Sequence, residues 1–167
     1  MKLVSSIAGG FAGACVVTLL NQIIKKFDKG APRIDLLGQE VAAEMHEAVG
    51  SDVPAKSQLY KEALAGDLLS NTIYFSIAGA NNKQTEVQGG IQGVFAGLSA
   101  VYAPGLSNAL NAKHTGETDK KKILTTAYYF IGGVVAAKVM KFVDEKLSED
   151  NPRSNRLLRK LNREIHY

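Results

Sequence analysis

Asp67, Asn71, Gln88 and Gln92 are the side chains of this 167-residue chain whose types and spacing come nearest to chemistry. Asp67 and Asn71 lie one helical turn apart, as do Gln88 and Gln92, and all four border or interrupt apolar stretches. A polar or ionisable group in such a stretch is costly to bury. It either closes hydrogen bonds between helices or serves an ion, proton or solute pathway. Antiparallel pairing of their two segments would set Asp67 near one end and Gln88 near the other, which argues against one compact site of four. Other constellations are missing from the sequence. His46, His114 and His166 sit on separate connecting or terminal segments without ligand spacing, and the single Cys15 lies in an apolar run. The stretch "GGIQGVFAG" has no preceding strand and no lysine after its last glycine, so it does not read as a phosphate loop. We therefore expect no catalytic residue, no metal, no cofactor and a non-enzymatic protein.

These groups need elements to hold them, and the charges show where the elements are. The chain is 46% hydrophobic and 22% charged, averages that would suit a soluble domain, but residues 3–24, 68–82, 87–112 and 123–137 carry no charge at all. The pattern predicts an all-α membrane bundle with spans at about 3–24, 64–80, 87–106 and 123–143, within a membrane domain over 1–150. The first uncharged run is longer than a usual signal-peptide core and ends in "NQIIKKFDK", so it reads as an uncleaved first span. Two of the runs hold 15 residues, which is short for a span and requires Asp67 and Lys138 to be tolerated near an interface or inside the bundle. Those two would pair if they reached the same depth. The segments around 64–80 and 87–106, joined by "NNKQ", read as an antiparallel hairpin.

Glycine supplies the packing argument. Gly9 and Gly13, then Gly89, Gly93 and Gly97, then Gly132 and Gly133 ahead of Ala136 and Ala137, place small residues four apart in three of the four segments. Each mid-helix glycine costs roughly 1 kcal/mol in water. In hydrocarbon, where tails are as apolar as leucine, the same spacing lets backbones approach and becomes an asset. A soluble four-helix bundle would instead carry leucine-rich seams and a polar face on every helix, and the first segment has no polar face.

Two amphipathic helices complete the plan. Ile34, Leu37, Val41 and Met45 share one side of a surface helix at about 34–49, with Asp35 as its expected cap and Glu40, Glu44 and Glu47 opposite. The tail, 151–167, sets Arg153, Arg156, Arg159, Lys160 and Arg163 around Leu157, Leu158, Leu161 and Ile165, which suits contact with anionic lipid headgroups or a partner. Lysine and arginine counts on the two sides of a four-span chain are ten and nine, so orientation stays open.

The stretch "GAPRIDLLGQE" after a glycine-rich first span resembles a group of small, uncharacterised bacterial four-span membrane proteins. The shared motif is Pro-Arg-hydrophobic-Asp, here Pro32, Arg33, Ile34 and Asp35. The resemblance implies a bacterial inner-membrane location and brings no activity with it. The expected partners are the lipid bilayer and other membrane subunits or the chain itself, with no nucleic acid and no small-molecule substrate. The leading reading is a self-associating unit or an accessory subunit. A small channel or transporter using the intramembrane polar residues is the first alternative, and a soluble or peripheral helical binding protein the second.

Overall fold

A computed structural model of the chain describes residues 2–78 and 86–149. Among the described residues every regular element is helical: α1 Lys2–Phe27, α2 Ile34–Ala48, α3 Lys56–Ala78, α4 Glu86–Tyr102, a 3-10 turn Ala103–Leu106, the single turn α5 Lys113–Gly116, and α6 Asp119–Glu149. Local chemistry sets these limits. Past α1, the Asp28 carboxylate accepts the Gly30 amide at 2.9 Å, and Pro32 prevents continuation. The α2 helix closes at Gly50, whose φ of +71° is the left-handed conformation that ends helices most cheaply at glycine. Pro104 turns the end of α4 into the 3-10 turn. The basic tail at 151–167 and the "NNKQ" turn lie outside the described residues.

Of the four long helices, α1 and α4 pack on α6 and α3 packs on α1. α1 runs antiparallel along one flank of α6, where Gly9 meets Ala136 and Met140 and Gly13 meets Gly132. α4 runs antiparallel along the other flank, Gly89 against Gly133, Gly93 against Tyr129, Gly97 against Thr126. α3 lies antiparallel along a neighbouring face of α1, through Gly10 against Thr72 and Ser76, and its Phe75 reaches Gly132 of α6. α2 caps one end by resting on the start of α3, Gly38 against Ala63. We call this the α2 end.

The glycines are where backbones touch. A Cβ added at Gly13 would stand 2.6 Å from the Gly132 carbonyl oxygen, and one at Gly97 would stand 2.6 Å from Thr126 Cα. Added at Gly89, Gly93 or Gly133, it would overlap a carbonyl oxygen of the facing helix. The adjacent glycines of α6 serve different neighbours: Gly132 faces α1 and Gly133 faces α4. On α3, two side-chain hydroxyls bond back into their own helix, Thr72 to the Leu68 carbonyl and Ser76 to the Thr72 carbonyl at 2.6 Å each, so they need no water.

Three expectations change. The segments flanking "NNKQ" do not form the main pairing: α4 lies chiefly along α6 and α3 along α1, because the glycine seam of α4 fits the small-residue face of α6. Two helices, Leu3–Phe27 and Asp119–Glu149, are long and apolar enough to cross a membrane, whereas the 17-residue α4 and the mixed-polarity α3 fall short on their own. Asp35 is not the cap of α2; Arg33 stands at that position without a side-chain cap bond, and Asp35 lies in the first turn.

Candidate functional site

The polar residues of α1, α2 and α3 converge under the α2 cap. From α3, Asp67 accepts the Asn71 amide at 2.8 Å on one carboxylate oxygen. From α1, the Thr18 hydroxyl donates to the other at 3.1 Å. Asn71 is buried, so the Thr18–Asp67–Asn71 network ties α1 to α3. Beside Asp67 is a cavity of about 20 Å³, lined by Thr18, Asn21, Gln22, Asp35, Tyr60 and Asp67 among others. That is enough space for about one water molecule.

One wall of this cavity, Asp35, is tied by charge. Asp35 receives a bidentate bond from Arg33, at 3.0 and 2.9 Å, and an ion pair from Lys25 of α1 at 3.0 Å. Burial alone would raise the Asp35 carboxyl; the bonds from Arg33 and Lys25 outweigh it and hold the group below the usual carboxylate range. Lys25 also stands 5.6 Å over the Tyr60 ring, and the Tyr60 hydroxyl donates to Gln22 at 3.0 Å. Asn21 donates to the Pro32 carbonyl at 3.0 Å and seats the loop before α2.

The histidines hold α2 down from its far side. His114 meets Glu40 at 2.8 Å, whose other oxygen accepts the Asn111 amide, and His46 meets Glu62 at 2.9 Å. Among the described residues no three His, Cys, Asp or Glu side chains converge as metal ligands.

Of the four polar residues expected in the apolar segments, the structure groups Asp67 with Asn71 and separates the glutamines. Gln92 donates to the Tyr74 carbonyl at 3.0 Å while the Tyr74 hydroxyl donates to the Gln92 carbonyl at 3.1 Å, a two-bond clasp between α4 and α3. Gln88 is exposed two turns from Gly97 toward the opposite end. Lys138 is exposed and forms no pair with Asp67: Asp67 sits at the level of Thr18, and Lys138 follows Ala137, at the level of Gly89. The basic tail residues Arg153, Arg156, Arg159, Lys160 and Arg163 lie outside the described residues.

Thr18, Gln22, Lys25 and Tyr60 complete the site and were not singled out from sequence as parts of it. A signal was present: Thr18, Asn21, Gln22 and Lys25 fall at i, i+3, i+4 and i+7, a short polar stripe that corrects the reading of the first segment as having no polar face. No family model, curated protein or solved structure matches the chain.

Proposed function

We propose that this chain is a four-span, non-enzymatic membrane protein that works by packing, as a self-associating unit or an accessory subunit of a larger assembly in the bacterial inner membrane. The observation that carries the reading is an inverted distribution of size. The interior of α4 is Gly89, Gly90, Gly93, Ala96, Gly97 and Val101, while Val87, Ile91 and Phe95 point outward, each more than half exposed. The same holds outside α1 at Leu3, Ile7, Phe11, Leu19 and Ile23, and outside α3 at Leu69, Ile73 and Ile77. In water such faces would associate without control. In hydrocarbon they are ordinary lipid contacts, and the close glycine seams supply the helix association that lipid does not.

On this reading α3 and α4 enter the bilayer because α1 and α6 hold them there. The glycine seams are already occupied within the chain, so contacts to further subunits fall to the outward apolar faces. Those faces weigh against the soluble or peripheral alternative. The channel alternative is favoured by one observation, the Asp67 cavity, taken up below.

Alkaline carbonate extraction of expressing cells tests the location, with the chain expected in the membrane pellet; recovery in the supernatant would overturn the proposal. Co-purification of a tagged and an untagged copy, or of a stoichiometric membrane subunit, in mild detergent tests the role. A protein recovered strictly as a lone monomer would overturn it.

A further inference from the structure

We infer that Asp67 is a proton-binding carboxyl, loaded and unloaded from the α2 end through the adjoining cavity. The inference goes beyond packing but rests on the four-span reading, since it needs α3 to lie in hydrocarbon. At the α2 end the other partly buried acids each face a basic group: Asp28 meets Lys120, Asp35 meets Lys25 and Arg33, Glu40 meets His114, and Glu62 meets His46. Asp67 faces neutral donors, Thr18 and Asn71, and makes no ion pair among the described residues.

The groups around it are known from every side. α1 contributes Thr18 and, paired with the cavity-lining Asp35, Lys25. α2 contributes Asp35 with Arg33. α3 contributes Asn71 and Tyr60, and α6 contributes Tyr129. Both nearby cations are engaged by Asp35. An ionised carboxylate without a cation is costly to hold in hydrocarbon, and a bound proton removes that cost. The cavity gives the proton a way in. It has room for about one water, and its walls carry the Gln22 amide, the Tyr60 hydroxyl and the Asp35 carboxylate between Asp67 and the charged α2 surface. Toward the other end, the α1–α3 contact closes on Gly10, Thr72 and Ser76, with the Ser76 hydroxyl bonded to the Ser6 and Thr72 carbonyls. The cavity beside Asp67 thus lies at the α2 end, among residues of α1, α2 and α3.

The test uses the full chain in phosphatidylcholine–phosphatidylglycerol vesicles. Infrared spectra taken from about pH 5 to about pH 9 should contain a protonated-carboxyl C=O band that titrates and is lost in Asp67→Asn. Dicyclohexylcarbodiimide, which reacts with protonated carboxyls in apolar surroundings, should label Asp67 with the same pH profile. Thr18→Val removes a bond that favours the ionised form, so the midpoint should rise by about one pH unit with the fold retained. Spectra of wild type and Asp67→Asn that match at every pH would overturn the proposal. So would suppression of labelling by sodium at fixed pH, which would assign the site to a metal cation. Equal labelling by a water-soluble carbodiimide would overturn the four-span reading beneath it, an outcome distinguishable from the other two.

Discussion

Two buried hydroxyls on α6 show how single residues carry the balance of this fold. Tyr128 is 2% exposed and Thr125 is 0% exposed, and neither side-chain oxygen makes a hydrogen bond among the described residues. A buried hydroxyl without a partner keeps its desolvation cost and returns nothing for it. Tyr128→Phe should therefore be neutral or stabilising, by up to about 1 kcal/mol, in detergent-titrated unfolding; a loss of more than that would mean that the hydroxyl has a partner. Asp35 is the opposite case, buried and bonded twice over. Its carboxyl is held low despite burial by Arg33 and Lys25, and Glu62 is held low chiefly by its bonds from His46 and Gln58. A carboxyl lowered in the folded state contributes stability above its unfolded value, about pH 4, and loses it as pH falls through the folded value. Amide-exchange protection in α2 should then fall below about pH 4 while α6 keeps its own. Equal loss in both helices would count against this role for the acids.

At the scale of elements, the glycines differ sharply in what they do. Gly133 stands against the Gly89 carbonyl, whereas Gly66 on α3 has nothing within 4 Å of an added Cβ. Gly133→Ala should cost about 1 to 3 kcal/mol by forcing α4 and α6 apart. Gly66→Ala should gain up to about 1 kcal/mol from helix propensity. Unfolding measurements on the two variants give opposite signs if the seam is as described, and the same sign if it is not. Four-residue spacing made close approach legible from sequence, but not which helix approaches which. The pairing of α4 with α6, rather than with its neighbour α3, depends on two adjacent glycines that lie about 100° apart around one helix. The polar site was half legible for a similar reason. Asp67 and Asn71 show their relation by spacing within one segment, whereas Thr18, Gln22 and Tyr60 join them across segments that spacing alone cannot connect.

For the whole molecule, each uncharged run falls on one of the four long helices, but Lys56–Ala78 and Asp119–Glu149 extend well past theirs. The runs could not show that α1 and α6 alone have the length and apolarity to cross unaided. The expected retention in carbonate-washed membranes thus belongs to the assembled bundle, with α3 and α4 carried by their neighbours. That division has a consequence for biosynthesis. The ribosome delivers α6 after every other helix described, yet α6 is the surface on which both α1 and α4 settle. Until it emerges, α4 is held by the Tyr74–Gln92 clasp and by the bond from Thr115 to the Ala100 carbonyl, with its whole glycine seam uncovered.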